Sequence, residues 1–335
     1  MAQISLSNLS PHHKAWEKHR ANADIISGFY RQGQGSFKRY AHRMRDCAKF
    51  LEFCLVPEST EDLLEFKLSY ARFCRVRHCP ICQWRRSLMW KARAYKVIPQ
   101  VVADYPKSRW LFITLTVQNC RLEELRTTLN WMNRGFKRLT ELKAWSAKGW
   151  VKSVEVTKGK DGESAHPHFH VLAMVPPSYF SHGYIAKAKW GQLWQQCLRI
   201  DYTPVLHVSA IAKSDDPTVI IPEILKYQVK ESDLVANREW FLELTRQLHQ
   251  TRGVAVGGVL RQYMRQMELE HKQRISQEGD EVDDENVSFT WKRELGMYSR
   301  VTRETIRKNA NVGTQGTVRH ELCRKPNPPA IEPEG

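Results

Sequence analysis

Apolar and polar positions divide the chain into runs of different period. Residues 1–70 mix aromatic, basic and apolar residues ("FYRQGQGSFKRYAHRMRDCAKFLEFCL", 29–55) in a pattern that predicts a mostly helical segment, and a further helix is predicted over 84–104. From residue 110 the period shortens. "WLFITLTV" (110–117) predicts a strand, "LEELRTTLNWMNRGFKRLTEL" (122–142) returns to helical spacing, and "WVKSVEVT" (150–157) alternates as a strand. The turn-forming run "KGKDGES" leads to another strand, "HFHVLAMV" (168–175). A helix over 185–200, a strand over 204–211 and a helix within 217–232, with Pro222 at its first helical position, complete the series.

That order, β-α-β-β-α-β followed by a helix, is the split-βαβ or ferredoxin-like order. It predicts an α+β domain with one antiparallel sheet and helices on one face. The expected organisation is an N-terminal helical region with a cysteine-rich module (1–105), the α+β domain (106–235), a helical C-terminal region (236–322) and a disordered tail (323–335). The C-terminal region is interrupted by the acidic run "SQEGDEVDDENVS" (276–288), and the tail is rich in proline ("KPNPPAIEPEG").

Charge narrows the class of partner. Lys and Arg total 52 against 36 Asp and Glu, a formal net charge of +16. Such an excess favours a polyanion, because each cation set against a phosphate releases condensed counterions. No apolar run is long enough for a membrane span and no secretory leader stands at the N-terminus, so a cytoplasmic protein with no membrane partner is expected.

The cysteines crowd into the N-terminal quarter. In "FCRVRHCPICQWRRS", Cys79-x-x-Cys82 encloses Pro80 in the tight turn of a zinc knuckle, and Cys74 adds a third thiolate. The fourth ligand is left among Cys47, Cys54 and His78, with Cys47 the working choice. A structural Zn²⁺ is expected in preference to redox chemistry, which would need a βαβ context that this segment lacks.

Two further groups carry candidate chemistry. His168 and His170 stand two apart on one strand and therefore share a face, with Phe169 and Val171 on the other. Glu155, on the neighbouring strand, faces the same way, and a set of two histidines and a carboxylate suits Mg²⁺ or Mn²⁺. If 217–232 is one helix, Glu223, Tyr227 and Lys230 share a face. A phenol there is a nucleophile only when a cation or base assists it.

Taken together, "FITLTV" (112–117), "HPHFHVL" (166–172) and "EILKYQVK" (223–230) resemble, in order and spacing, the three motifs of rolling-circle replication initiators in the HUH endonuclease superfamily. The plasmid branch, with one tyrosine and a glutamate one turn before it, is the most similar. "CRVRHCPICQWRRS" resembles the cysteine-rich segment that precedes the catalytic domain in that branch. The resemblance covers roughly residues 40–235. It implies that His168, His170 and Glu155 hold the catalytic metal. It also implies that Tyr227 attacks single-stranded plasmid-origin DNA, leaving a 5′-phosphotyrosyl link and a free 3′-OH, and that Glu223 assists termination. Lys230 is then expected at phosphate or phenolate, Lys226, a quarter-turn from Tyr227, is the less favoured of the two lysines, and Thr114 and Thr116 support the site. His166 is left as a DNA contact or a supporting group. Trp110, Trp150 and Trp190 are candidates for base stacking or for the core. A host helicase and polymerase follow as partners, and oligomeric state is left open. A single-tyrosine transposase or a relaxase of the same superfamily is the nearest alternative. The tyrosine follows the histidines here, whereas relaxases place it ahead. A non-catalytic zinc DNA-binding regulator is the alternative from another class.

Overall fold

The computed structural model describes residues 4–57, 64–212, 216–277, 286–301 and 317–319. Most of the expected acidic run, residues 278–285, and all of the expected Pro-rich tail lie outside the described residues. The chain forms two units, one from residues up to Cys82 with those from Gln277 onward, the other from Gln83 to Ser276.

In the first unit the helices are α1 (Leu6–Leu9), α2 (Lys14–Gln32) and α3 (Ser36–Arg45). One stripe of α2, with Trp16, Ala23, Ile26 and Tyr30, is buried, as a surface helix requires. The chain then departs from the expected helix. β1 (Phe50–Pro57) and β2 (Leu64–Arg72) are antiparallel strands. The expected C-terminal helical region also yields strands, β8 (Val287–Lys292), β9 (Met297–Val301) and β10 (Thr317–Arg319). These five form one sheet in the order β10-β2-β1-β8-β9. The physical reason is pairing across the length of the chain: β1 is held by β8, with Phe50 opposite Thr290, and Phe289 and Trp291 bury alternate positions.

The second unit follows the expected order. β3 (Arg109–Thr116), α5 (Leu125–Glu141), β4 (Gly149–Lys158), β5 (Ala165–Val175), α6 (Lys187–Leu198) and β6 (Leu206–Ala210) succeed one another. The four strands stand in the order β6-β3-β5-β4, every neighbour antiparallel, which is the ferredoxin-like arrangement. An unexpected strand, β7 (Val254–Gly258), adds to the edge of β4. The remaining helices are α4 (Pro80–Asp104), which opens at the end of the first unit, α7 (Ile221–Ile224), α8 (Glu231–Ala236), α9 (Arg238–Leu248) and α10 (Val259–Gln277).

The sheet buries both faces. On one, α5 presents Leu129, Met132 and Phe136, and the Phe136 ring meets Phe169 edge to face at 6.1 Å. Gly135 lets α5 and α6 approach, because a Cβ there would lie 2.8 Å from Leu198. On the other face, Val97, Ile98 and Val101 of α4 pack with Trp110, Val151, Leu172 and Met174 of the sheet and with Leu260. Among the described residues no helix is long and apolar enough to cross a membrane.

Candidate active site

The face packed against α4 changes character along the strands. Its apolar end carries Val151, Leu172 and Met174; continuing by twos along β4 and β5 leads to Glu155, His170 and His168. Glu155 is directly opposite His168 in the ladder. His168 Nε2, His170 Nε2 and Lys226 Nζ lie 2.9, 2.8 and 2.9 Å from the same atom, Glu155 Oε2.

Glu155, His168 and His170 are only 3, 9 and 6% exposed. Burial by itself raises the Glu155 carboxyl; the hydrogen bonds from His168, His170 and Lys226 outweigh it and hold the group well below the usual carboxylate range. The ligand atoms of Glu155, His168 and His170 lie within 4.8 Å of one another, so one metal ion can reach all three. The far ring nitrogens are held from behind. His170 Nδ1 is 3.2 Å from the Thr114 hydroxyl, and His168 Nδ1 is 3.4 Å from the His166 carbonyl oxygen. Contacts of this kind fix the ring plane and would leave Nε2 available to an ion. Phe112 stacks on His170 at 5.6 Å. Thr114 therefore supports the site, whereas Thr116 donates to the Val205 carbonyl. His166 stands outside the trio, its Nδ1 2.8 Å from Asn119 Oδ1.

The expected helix over 217–232 is not formed. α7 stops at Ile224, and residues 225–230 run as an irregular segment before α8. The carbonyls that a continuing helix would use are taken elsewhere: Ser87 Oγ donates to Leu225 O at 2.6 Å, and Gln83 Nε2 to Val229 O at 3.0 Å. The Val156 amide donates to Gln228 O at 2.8 Å, and Val229 bridges Val156 in parallel. The segment thus continues the edge of β4 beyond β7.

This changes which side chains meet. Glu223, Tyr227 and Lys230 do not share a helix face. Lys226, the less favoured lysine on helical geometry, spans Glu155 Oε2 at 2.9 Å and Glu223 Oε1 at 2.6 Å. Burial lowers its ammonium, and the bonds to Glu223 and Glu155 more than reverse this, so its pKa is raised. Lys230 is exposed at the N-cap of α8. Tyr227 is half-buried, and burial, reinforced by Glu231, raises its phenol. Lys226, Gln83 and Ser87 are the residues that sequence reasoning missed. No local signal marks the latter two, which act from α4.

In the first unit Cys47, Cys74, Cys79 and Cys82 come together, all buried. Cys54 and His78 are outside the group. Sγ separations are 3.6 Å for Cys47–Cys82 and Cys74–Cys82, and 3.7 Å for Cys47–Cys79. A tetrahedral site with Zn–S bonds near 2.3 Å has S···S edges of about 3.8 Å. The four thiols therefore fit a tetrahedral metal site. Pro80 opens α4, placing Cys82 in its first turn, where the helix dipole favours a thiolate. Hydrogen bonds from the other three cysteines hold Cys82 far below the ordinary thiol value. The amides of Cys74 and Val76 lie 3.4 and 3.5 Å from Cys47 Sγ and Cys74 Sγ. Of the aromatic candidates, Trp110 and Trp190 are 5 and 3% exposed and belong to the core, while Trp150 is partly exposed.

Comparison with known proteins gives the family. A replication protein family model, Rep_1, matches residues 65–299. The chain is 36% identical over 249 residues to a "Protein rep" of Lactiplantibacillus plantarum, covering 70% of this chain and 76% of that protein. It is 31% identical over 301 residues to a "Protein rep" of Bacillus amyloliquefaciens, covering 80% and 87%. A "Protein rep" of Streptococcus pneumoniae is 31% identical over 234 residues, covering 68% and 72%. No solved structure matches. The family match spans the histidine pair, its glutamate and the tyrosine segment, and the chain belongs to the replication protein family.

Proposed function

We propose that this protein initiates rolling-circle replication of a plasmid by nicking single-stranded DNA at the origin, with Tyr227 as nucleophile and a Mg²⁺ or Mn²⁺ ion held by His168, His170 and Glu155. The observation that carries the reading is the buried Glu155–His168–His170 set, with the tyrosine segment bonded to the strand that bears Glu155. When bound, the divalent ion would polarise the scissile phosphate and stabilise its developing charge.

The chain's own groups do the rest. Thr114 and the His166 carbonyl orient the two imidazoles; Ser87 and Gln83 fix the segment on either side of Tyr227. The phenol oxygen forms a bond to phosphorus, the bond from phosphorus to O3′ breaks, and the phenol proton leaves to solvent while O3′ gains one. The products are a 5′-phosphotyrosyl link and a free 3′-OH for a polymerase, with a helicase opening the duplex ahead. Glu223, exposed and tied to Lys226, is available to accept a proton from water when the link is hydrolysed at termination. In this arrangement Lys226 is the cation beside the reacting groups, and Lys230 is free to contact DNA. The four cysteines hold a structural Zn²⁺.

The test uses the full chain with Mn²⁺ and single-stranded DNA from its own replicon. Wild type should give a denaturation-resistant adduct mapping to Tyr227, and Tyr227→Phe should bind DNA without forming one. Cleavage with no adduct would indicate attack by water, and an adduct that survives Tyr227→Phe would remove the tyrosine from the chemistry.

A further inference from the structure

The first unit carries an electropositive feature distinct from its cysteine site. A hollow of about 370 Å³ opens between α2, the end of α3 and the β8–β9 hairpin. Six cationic side chains line it, Arg20, Arg31, Arg45, Lys49, Lys292 and Arg293, against two carboxylates, Asp24 and Glu294. Asp24 is already committed. Arg20 Nη2 lies 3.0 Å from it, Trp291 Nε1 donates to it at 2.9 Å, and Arg293 Nε is 3.6 Å away. Arg20 is buried and also donates to the Met44 and Arg45 carbonyls, so it braces the wall. Arg31, Arg45, Lys49 and Arg293 are exposed, and Lys292 is half-buried beside them.

We propose that this hollow is a binding surface for the phosphate backbone of duplex DNA. The excess of exposed cations calls for a polyanion, and the lining discriminates between its forms. Single-stranded nucleic acid is held by bases stacked on exposed aromatic faces. The one aromatic here, Trp291, is 6% exposed with its indole N–H bound to Asp24, so it offers no platform. What remains is charge spaced over three elements, which suits a backbone whose bases stay stacked inside a helix. The β8–β9 turn projects beside the hollow, with Gly296 at φ +62° and Leu295 half exposed. A two-stranded ribbon of this kind fits a major groove. The surface lies outside the nicking site and does not depend on the nicking chemistry.

The experiment measures binding of the full chain to a fluorescein-labelled mixed-sequence duplex, and to a single strand of equal length, across a salt series. The variant is Arg31→Ala/Lys49→Ala/Lys292→Ala. Each lost phosphate contact removes about 0.9 from the slope of log K against log salt, so the duplex slope should fall by about 2.7. Duplex affinity should drop at least about 10-fold while adduct formation on a single-stranded substrate is unchanged. An unchanged duplex slope overturns the proposal, as does equal weakening for duplex and single strand. If the triple variant loses its circular dichroism signal, Lys49→Ala alone carries the test, with an expected slope change near 0.9. If wild type forms no adduct, the nicking reading falls while the salt slope still decides this one.

Discussion

Lys152 gives a quantitative test of how the second unit balances burial against charge. It lies on the α5 face of β4, 4% exposed, with Nζ 2.5 Å from Asn133 Oδ1 and 3.9 and 4.6 Å from the ring centres of Phe169 and Phe136. No carboxylate among the described residues pairs with it. Burial pushes its ammonium down to about 7 from an ordinary 10.5. At 1.36 kcal/mol per unit, that drop corresponds to roughly 4–5 kcal/mol against the charged form. Two desolvated cation–π contacts offset on the order of 1–2 kcal/mol each. The net cost of the buried charge is therefore about 1–3 kcal/mol. Because the folded pKa lies below the unfolded one, the unfolded chain binds more protons between about 7 and 10.5. Stability attributable to this group accordingly rises with pH through that window, and the penalty is full below it. Lys152→Met keeps the stem and removes the charge, and Asn133 is exposed, so its freed oxygen can be hydrated. In urea denaturation at about pH 6 the variant should gain about 1–3 kcal/mol, an advantage that shrinks as pH approaches 10. A variant less stable than wild type, with a gap that does not change with pH, would refute the reasoning: the ring faces and Asn133 would then outweigh desolvation.

The other predictions address the two metal-competent sites and the tyrosine segment. Lys226 is paired with the Glu155 carboxylate, which a divalent ion would also need, so Lys226→Met should tighten Mn²⁺ binding by up to about 5-fold in calorimetry while slowing adduct formation. Unchanged Mn²⁺ affinity would mean that the ammonium and the ion do not compete. Cys47→Ser should lower bound zinc by metal analysis and lower the melting temperature of the chain, since a structural ion contributes its binding free energy to folding; wild-type zinc content in that variant would exclude Cys47 as a ligand. Ser87→Ala removes the hydrogen bond that holds Leu225 O, worth about 1 kcal/mol. Adduct formation should slow several-fold with single-strand affinity unchanged, and an equal loss in both would point to a general folding defect.

The parts of the fold and site legible in the sequence share a local origin. The period-2 run through His168 and His170, joined to "WVKSVEVT" by a short turn, is a hairpin whose register follows from its own residues. That register alone brings Glu155 opposite His168. The βαββαβ order was readable for the same reason, each element announcing its period within its own length. Where pairing partners are far apart, the local pattern carries no such information. β1 and β8 pair across most of the length of the chain, and β1 ("FLEFCLVP") shows no period-2 alternation of its own, so the helical spacing of α2 and α3 extends by default into it.

The tyrosine segment shows why the last step of a site is the least local. "EILKYQVK" has acceptable helical spacing and a proline suited to a first turn, and nothing within it forbids a helix to Lys230. What forbids it is the capture of its carbonyls by Ser87, Gln83 and the Val156 amide, the first two from positions 138 and 146 residues away in the chain. The consequence is chemical. On a helix, Lys230 would stand beside Tyr227 and Lys226 would face away. On the β4 edge, Lys226 turns onto Glu155 and Glu223, linking the carboxylate of the metal-competent trio to the one implied in termination. The extended segment gives Glu155 three donors on one oxygen, and the depressed carboxyl follows from that. The identity of the cation in the site was thus decided by backbone hydrogen bonds rather than by side-chain spacing.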